Sequence, residues 1–255
     1  MGSKKLMVIR RDEELAKMRE AGRITAMALD AVGAAIRPGV TALDLDKIAE
    51  TTIRAEGAEP AFVGYRGYQH STCISINDQI VHGIPTTRRI KDGDMVGVDV
   101  GARVDGYHGD SAKTYLVGTG NPLKKRLMAA AQTALMKGIS KARAGAHIGD
   151  ISSAIQAIIE AEGFSVVRDL YGHGIGKVLH EDPLVPNFGR PGTGDVLVEG
   201  QTIAIEPMVN EGGADIRLMP DGWTIVTQDG KLSAHFEHTI RITQGEPEIL
   251  TQVGV

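Results

Sequence analysis

The sequence predicts an α+β fold made of two copies of a helix–helix–strand unit, packed about a pseudo-twofold axis around a central antiparallel sheet. Three observations predict it. A long helical stripe followed by a shorter, glycine-stopped helix occurs twice. Gly39, Asp44 and Gly57 match Gly145, Asp150 and Gly163, each pair 106 residues apart, and Ala55-Glu56-Gly57 reappears as Ala161-Glu162-Gly163. Two apolar strands each place a carboxylate six residues after a glycine, Gly93 to Asp99 and Gly200 to Glu206, and each is preceded by a His-Gly-Ile at His82 and His173.

The elements follow in order. Leu15, Met18, Gly22, Thr25, Leu29, Val32 and Ile36 recur at spacings of three and four, which predicts a helix from about residue 12 to 36. Pro38-Gly39 ends it, and Thr41-Ala-Leu-Asp44 has the form of a capping box opening a second helix that stops at Gly57. In the second half, Asn121-Pro122 is a cap followed by a first-turn proline, and that helix is expected to run to about Arg143. Gly145 begins a turn, Asp150 lies near the head of the next helix, and Gly163 closes it. No Pro-, Ser- or Gly-rich linker separates the halves. Residues 1–255 are therefore expected to form a single domain, with halves at approximately 12–118 and 121–243.

Composition narrows the class. With 42% hydrophobic and 24% charged residues among 255, the chain has an ordinary globular composition and enough length for a substantial core. A net charge of −4 gives no reason to expect nucleic acid or an anionic membrane. No apolar run approaches the length of a membrane span, and Met-Gly-Ser-Lys-Lys has no signal-like apolar stretch behind it. Met1-Gly2 begins like a myristoylation motif, but Leu6 stands where Ser or Thr is required. The one cysteine, Cys73, has no partner for an internal disulfide, so a reducing, cytoplasmic setting is expected.

The acids carry the chemistry. Val96, Val98 and Val100 alternate with Gly97, Asp99 and Gly101, so Asp99 shares a strand face with small residues. Asp105-Gly106 signals a two-residue hairpin turn. Counting outward, Val104 pairs with Tyr107 and Gly101 with Asp110, which puts Asp99 diagonal to Asp110 on the same face. Such partners lie about 7–8 Å apart at the backbone, close enough for both carboxylates to reach one cation or a pair. Ile203 and Ile205 likewise alternate with Thr202, Ala204 and Glu206, and Glu237 faces away from Phe236 and His238. Four carboxylates converging on apolar strands would raise one another's pKa values unless a cation compensates them. Carboxylates with one imidazole, offered by His173 between Gly172 and Gly174, suit Mn, Fe, Co or Zn rather than a thiolate zinc site. His180, seven residues on, could face the same cavity.

The sequence resembles the type I methionine aminopeptidases, with their duplicated "pita-bread" fold. The motifs that carry the resemblance are Cys73-Ile-Ser-Ile-Asn-Asp, Val81-His-Gly-Ile-Pro85, Val98-Asp-Val and Gly106-Tyr-His-Gly-Asp110. Later come Gly172-His-Gly-Ile-Gly176 with His180-Glu, Ile205-Glu-Pro-Met208, Asp221-Gly-Trp223 and Phe236-Glu-His-Thr239. They span nearly the whole chain, without the late insertion that marks type II. The resemblance implies a metalloaminopeptidase that removes the N-terminal methionine of nascent chains and peptides, preferentially before a small residue.

It also implies two divalent ions, with Asp99 on one, His173 and Glu206 mainly on the other, and Asp110 and Glu237 bridging. A hydroxide activated by this dinuclear centre would attack the scissile carbonyl. Glu206 would act as general acid–base, His180 would stabilise the oxyanion, and His82 would bind the substrate near its scissile amide. A methionine pocket would be lined by Tyr65, Tyr68, Cys73, His82, Leu179, His180 and Trp223. Phe62, Arg66 and Leu179 depart from the family's usual cysteine, histidine and aromatic residue, which bears on pocket width. A monomer, with transient ribosome contact and no membrane or nucleic-acid partner, is expected, and its own Met1-Gly2 has the form of a substrate. The rivals are an X-Pro peptidase of the same fold, a binding protein that lost its metals, and a two-metal phosphoesterase.

Overall fold

The computed structural model describes residues 8–9 and 11–253, so Met1-Gly2 and Leu6 lie outside the described residues. The first half contains α1 (Asp12–Ala35), α2 (Ala42–Ala55), β1 (Glu59–Pro60), β2 (Thr72–Ile76), β3 (Gln79–Val81), β4 (Met95–Val104) and β5 (Tyr107–Leu116). The second contains α3 (Pro122–Ile139), α4 (Ile148–Ala161), β6 (Ser165–Val166), β7 (Tyr171–Gly174), β8 (Glu181–Pro186) and β9 (Thr202–Ile205). It continues with β10 (Met208–Asn210), β11 (Ile216–Leu218), β12 (Ile225–Thr227), β13 (Ser233–His235), β14 (His238–Arg241) and β15 (Glu248–Ile249).

The echo seen in the sequence is an echo of conformation. Thr41 and Asp44 form the expected capping box on α2, and His147 with Asp150 forms its counterpart on α4. Gly57 and Gly163 both adopt the left-handed conformation past a helix end, at φ 77° and 76°. The chains entering α2 and α4 are held alike: Gly39 N–H donates to Ile90 O, and Gly145 N–H to Leu197 O. Asn121 caps α3 by accepting from Lys124 N–H, as the Asn-Pro pair predicts. That helix ends at Ile139, short of the expected Arg143, because residues 140–143 close a turn whose N–H groups donate to the carbonyls of Met136, Gly138, Ile139 and Lys141.

Two equivalent cores result. Leu45, Ala49 and Ile53 of α2 share one buried cluster with Ala28 and Val32 of α1 and with Val96, Val98 and Val100 of β4. Ile151, Ile155 and Ile159 of α4 share the other buried cluster with Leu127 and Leu135 of α3, Ile203 and Ile205 of β9 and Ile240 of β14. Each such large side chain contributes about 1.5–3 kcal/mol when fully buried. Because the branched residues face the helices, period-two alternation turns Asp99 to the opposite face.

Sheet topology then brings the halves together. β4 lies between β1 and β2 on one edge and β5 on the other, while β9 lies between β7 and β14 in a sheet ordered β15-β14-β9-β7-β8. The central antiparallel surface consists of these two sheets meeting at a seam between β5 and β14, where side-chain hydroxyls stand in for ladder bonds. Thr239 Oγ1 accepts from Asp110 N–H at 3.0 Å and donates to Asp110 O at 2.8 Å. Ser111 Oγ donates to Glu237 O at 2.7 Å, and Glu237 N–H to Ala112 O at 2.9 Å.

Helix α1 presses on the back of this seam. A Cβ added at Gly109 would stand 2.8 Å from the backbone carbon of Ala21 and the nitrogen of Gly22. Thr25 Oγ1 donates to Gly109 O and accepts from Ala102 N–H, locking the two elements. Gly109→Ala is expected to cost about 1–3 kcal/mol through overpacking. A thermal melt reads it; an unchanged midpoint would show that α1 can retreat from β5 freely.

Candidate metal centre and substrate cavity

The hairpin register is the one that the Asp-Gly turn predicts: Val104 pairs with Tyr107, Gly101 with Asp110, and Asp99 with Ala112. Asp99 and Asp110 therefore share a face, close enough for each to act on the other's titration. The other two acids do not lie within strands. β9 ends at Ile205 and β10 resumes at Met208, while on the partner β13 ends at His235 and β14 begins at His238. His238 still pairs with Ile205 and His235 with Met208, so both strands are interrupted over the same two positions. Pro207 has no N–H to give to a ladder, and the interruption frees Glu206 and Glu237 to turn inward.

His173 comes from β7, paired with Ala204 of β9. Its Nδ1 lies 2.9 Å from Gly174 O, which can only accept, so Nδ1 carries the hydrogen and Nε2 presents a lone pair. Ligand atoms of Asp110, His173 and Glu237 lie within 4.8 Å of one another, all buried. His173 Nε2 stands 3.6 Å from one Glu206 oxygen, and His235 Nε2 stands 3.6 Å from the other.

The electrostatics of this cluster are severe. Burial pushes Asp99 and Glu206 up to about 7, with the Glu206 charge also raising Asp99. Burial, then the neighbouring acids, drives Asp110 and Glu237 well above the usual carboxylate range. Asp99 Oδ1, Asp110 Oδ1 and Glu237 Oε1 are buried with no hydrogen-bond partner. Orphaned carboxylate oxygens converging beside an imidazole lone pair are a donor set that fits divalent cations.

The cluster forms one end of a cavity of about 300 Å³. All twelve residues singled out in the sequence line it: Asp99, Asp110, His173, Glu206, Glu237, His82, His180, Tyr65, Tyr68, Cys73, Leu179 and Trp223. Phe62, Tyr68, Cys73 and Leu179 form a separate apolar cluster with Trp223 at its side, and the Tyr68 and Trp223 rings meet edge-on at 4.9 Å. His180 sits between the two ends, its ring 4.1 Å from His173 and 5.1 Å from Tyr65. Burial, aided by the nearby His173 and His82, pushes it down to about 3, so it is neutral at pH 7. His82 is similarly pushed down to about 4 and holds a left-handed backbone at φ 57°. Its neighbour Gly83 has no room for a side chain, since a Cβ there would lie 2.3 Å from Ile74 O.

The sequence did not single out Asp169, Leu170 or Val81, which also line the cavity, nor His235, which faces Glu206. His235 had one available signal: it stands two residues before Glu237 and so shares its facing.

The profile of metallopeptidase family M24 matches residues 16–244. Methionine aminopeptidase 1 of Bacillus subtilis is 47% identical over 248 residues, covering 97% of this chain and all of the relative. The methionine aminopeptidase of Escherichia coli is 44% identical over 95% of this chain and 93% of its own length. The crystal structure of methionine aminopeptidase from Thermotoga maritima superposes with a TM-score of 0.95 at 46% identity, covering 96% of this chain and all of that one. A prolidase from Pyrococcus furiosus shares the fold at a TM-score of 0.79 and 24% identity, and this chain covers 66% of it. The chain belongs to metallopeptidase family M24 and, within it, to the methionine aminopeptidases of type I.

Proposed function

We propose that this chain cleaves the N-terminal methionine from nascent proteins and peptides whose second residue is small. It would do so with two divalent ions (cobalt, manganese, iron or zinc) held by Asp99, Asp110, His173, Glu206 and Glu237. The observation that carries this reading is the single cavity with a carboxylate–imidazole cluster at one end and an apolar slot at the other. Asp110, His173 and Glu237 would form the heart of that donor set, and Asp99 and Glu206 would complete it.

When bound, the ions supply Lewis acidity, which polarises a carbonyl and makes water nucleophilic near neutral pH. The chain does the rest. Glu206 takes the proton of the attacking water and returns it to the leaving amine. His180, kept neutral by burial, donates a hydrogen bond to the developing oxyanion, and His82 binds the substrate beside the scissile amide. Tyr65, Tyr68, Cys73, Leu179 and Trp223 receive the thioether side chain, which packs well in narrow apolar slots and against aromatic rings.

The two halves act as one catalytic domain over residues 1–255, since each contributes both ligands and pocket wall. No helix among the described residues is long and apolar enough to cross a membrane. The chain would work as a monomer on emerging chains, with transient ribosome contact, and a reducing cytoplasm fits the buried free thiol of Cys73.

The deciding assay follows methionine release from Met-Ala and Met-Gly peptides with Co²⁺ or Mn²⁺ added. Release that disappears on chelation and returns with metal is expected. Cleavage of X-Pro peptides in preference to these would overturn the substrate assignment.

A further inference from the structure

We propose that His235 is an additional nitrogen donor of the metal centre, on the side of Glu206 opposite His173. The proposal rests on the metal reading above and extends it to a residue outside the five-ligand set.

Three observations carry it. His235 is only 4% exposed, and its Nε2 is fully buried with no hydrogen-bond partner. That atom points at the cluster, 3.6 Å from Glu206 Oε2. The separation repeats, atom for atom, the 3.6 Å between His173 Nε2 and Glu206 Oε1 on the other side of the same carboxylate. Both distances exceed a hydrogen bond. They match instead two donors on a common ion: ligands at about 2.1 Å and a tetrahedral angle stand about 3.4 Å apart. The Glu206 carboxylate is thus flanked by two imidazole nitrogens in equivalent positions.

The backbone fixes this placement. His235 ends β13, where it pairs with Met208, two residues after Glu206. Thr114 Oγ1 of β5 accepts from His235 N–H at 2.9 Å and donates to His235 O at 2.9 Å, pinning the residue to the seam. Its neighbour in register, Glu237, projects from the interruption beside it. A buried, unpartnered imidazole nitrogen held there has no purpose in packing; a leucine or methionine would fill the space without it. With its hydrogen on Nδ1, the imidazole would offer Nε2 to a divalent ion as a good ligand.

The test uses intact protein, stripped of metal and reloaded with Co²⁺ alone, and reads the metal rather than turnover. Imidazoles bound to paramagnetic Co²⁺ give strongly shifted, exchangeable N–H proton signals, assignable to histidine by ¹⁵N labelling. The unaltered protein is expected to show two such signals, and His235→Gln one, with Co²⁺ affinity reduced at least 10-fold by calorimetry. A single shifted imidazole in the unaltered protein overturns the proposal while leaving the five-ligand centre standing. This count needs no variant, so it decides the matter even where His235→Gln misfolds. Two signals in the unaltered protein that both persist in a folded His235→Gln also overturn it. Failure to bind Co²⁺ at all overturns both readings.

Discussion

Glu206→Gln is expected to lower kcat for methionine release by about 10²–10⁴-fold, the range for loss of a general acid–base, while leaving the fold intact. The substitution keeps the shape of the side chain in a site where Asn187 Nδ2 donates to Glu206 O and both carboxylate oxygens face imidazoles. It removes the basic oxygen that would accept the proton of water. Circular dichroism and the melting midpoint should stay close to those of the unaltered protein. A variant that retains more than about a tenth of the turnover would remove Glu206 from the acid–base role, whatever it does to metal affinity.

The second large effect is on stability, and its sign follows from the buried acids. Asp99 and Glu206 rise from ordinary values of 3.8 and 4.5 to about 7, and Asp110 and Glu237 rise as well. Between those limits the metal-free folded state binds more protons than the unfolded one, so its stability falls as pH increases. The contribution is fully present below the unfolded values and is lost as pH rises through about 7, at a cost on the order of a few kcal/mol per carboxyl.

The histidines act in the other direction. His82 and His238 fall from 6.5 to about 4 and His180 to about 3, so their contribution is present above 6.5 and lost as pH drops toward those values. Chelated protein should therefore be most stable in the window between 4.5 and 6.5 and weaken toward pH 8. Saturating Mn²⁺ should displace the protons and restore stability, by about 4 kcal/mol at a thousandfold excess over Kd, and more at about pH 8 than at about pH 5.5. Melting curves in chelator that rise steadily from about pH 5.5 to about pH 8 would contradict the assignment of these acids to a compact buried cluster.

How much of this was legible in the sequence depended on how local each constraint is. Asp99 and Asp110 could be read because a two-residue Asp-Gly turn fixes register, and register fixes facing. The caps of α2 and α3 were readable for the same reason: Thr41, Asp44 and Asn121 act on N–H groups three residues away. Glu206 was readable as a position but not as a geometry. Its strand ends one residue early because Pro207 withdraws a donor, and the effect extends to Glu237 on the neighbouring strand.

The aromatic wall was less accessible still. Arg66 sits at φ 50° inside the short turn Tyr65–Gly67, which sets where the Tyr65 and Tyr68 rings point, and no periodicity describes such a segment. The pocket residues therefore came from the family resemblance rather than from spacing. His235 carried only the single signal of standing two residues before Glu237, and it is the pairing with Met208 that brings it beside Glu206.

The hydroxyl-stitched seam has a consequence for how the molecule reaches its working state. The contact between Asp110 and Thr239 joins residues 129 positions apart, and the ties of Ser111 and Thr114 span 126 and 121. Contacts so distant in sequence form late, after most of the chain-closure entropy has been met. A β4–β5 hairpin that folds early holds two carboxylates and nothing more, so tight capture of cations must wait for the chain's last third. Metal uptake during refolding should accordingly lag behind the recovery of secondary structure. For this protein it reports completion of the fold rather than its beginning.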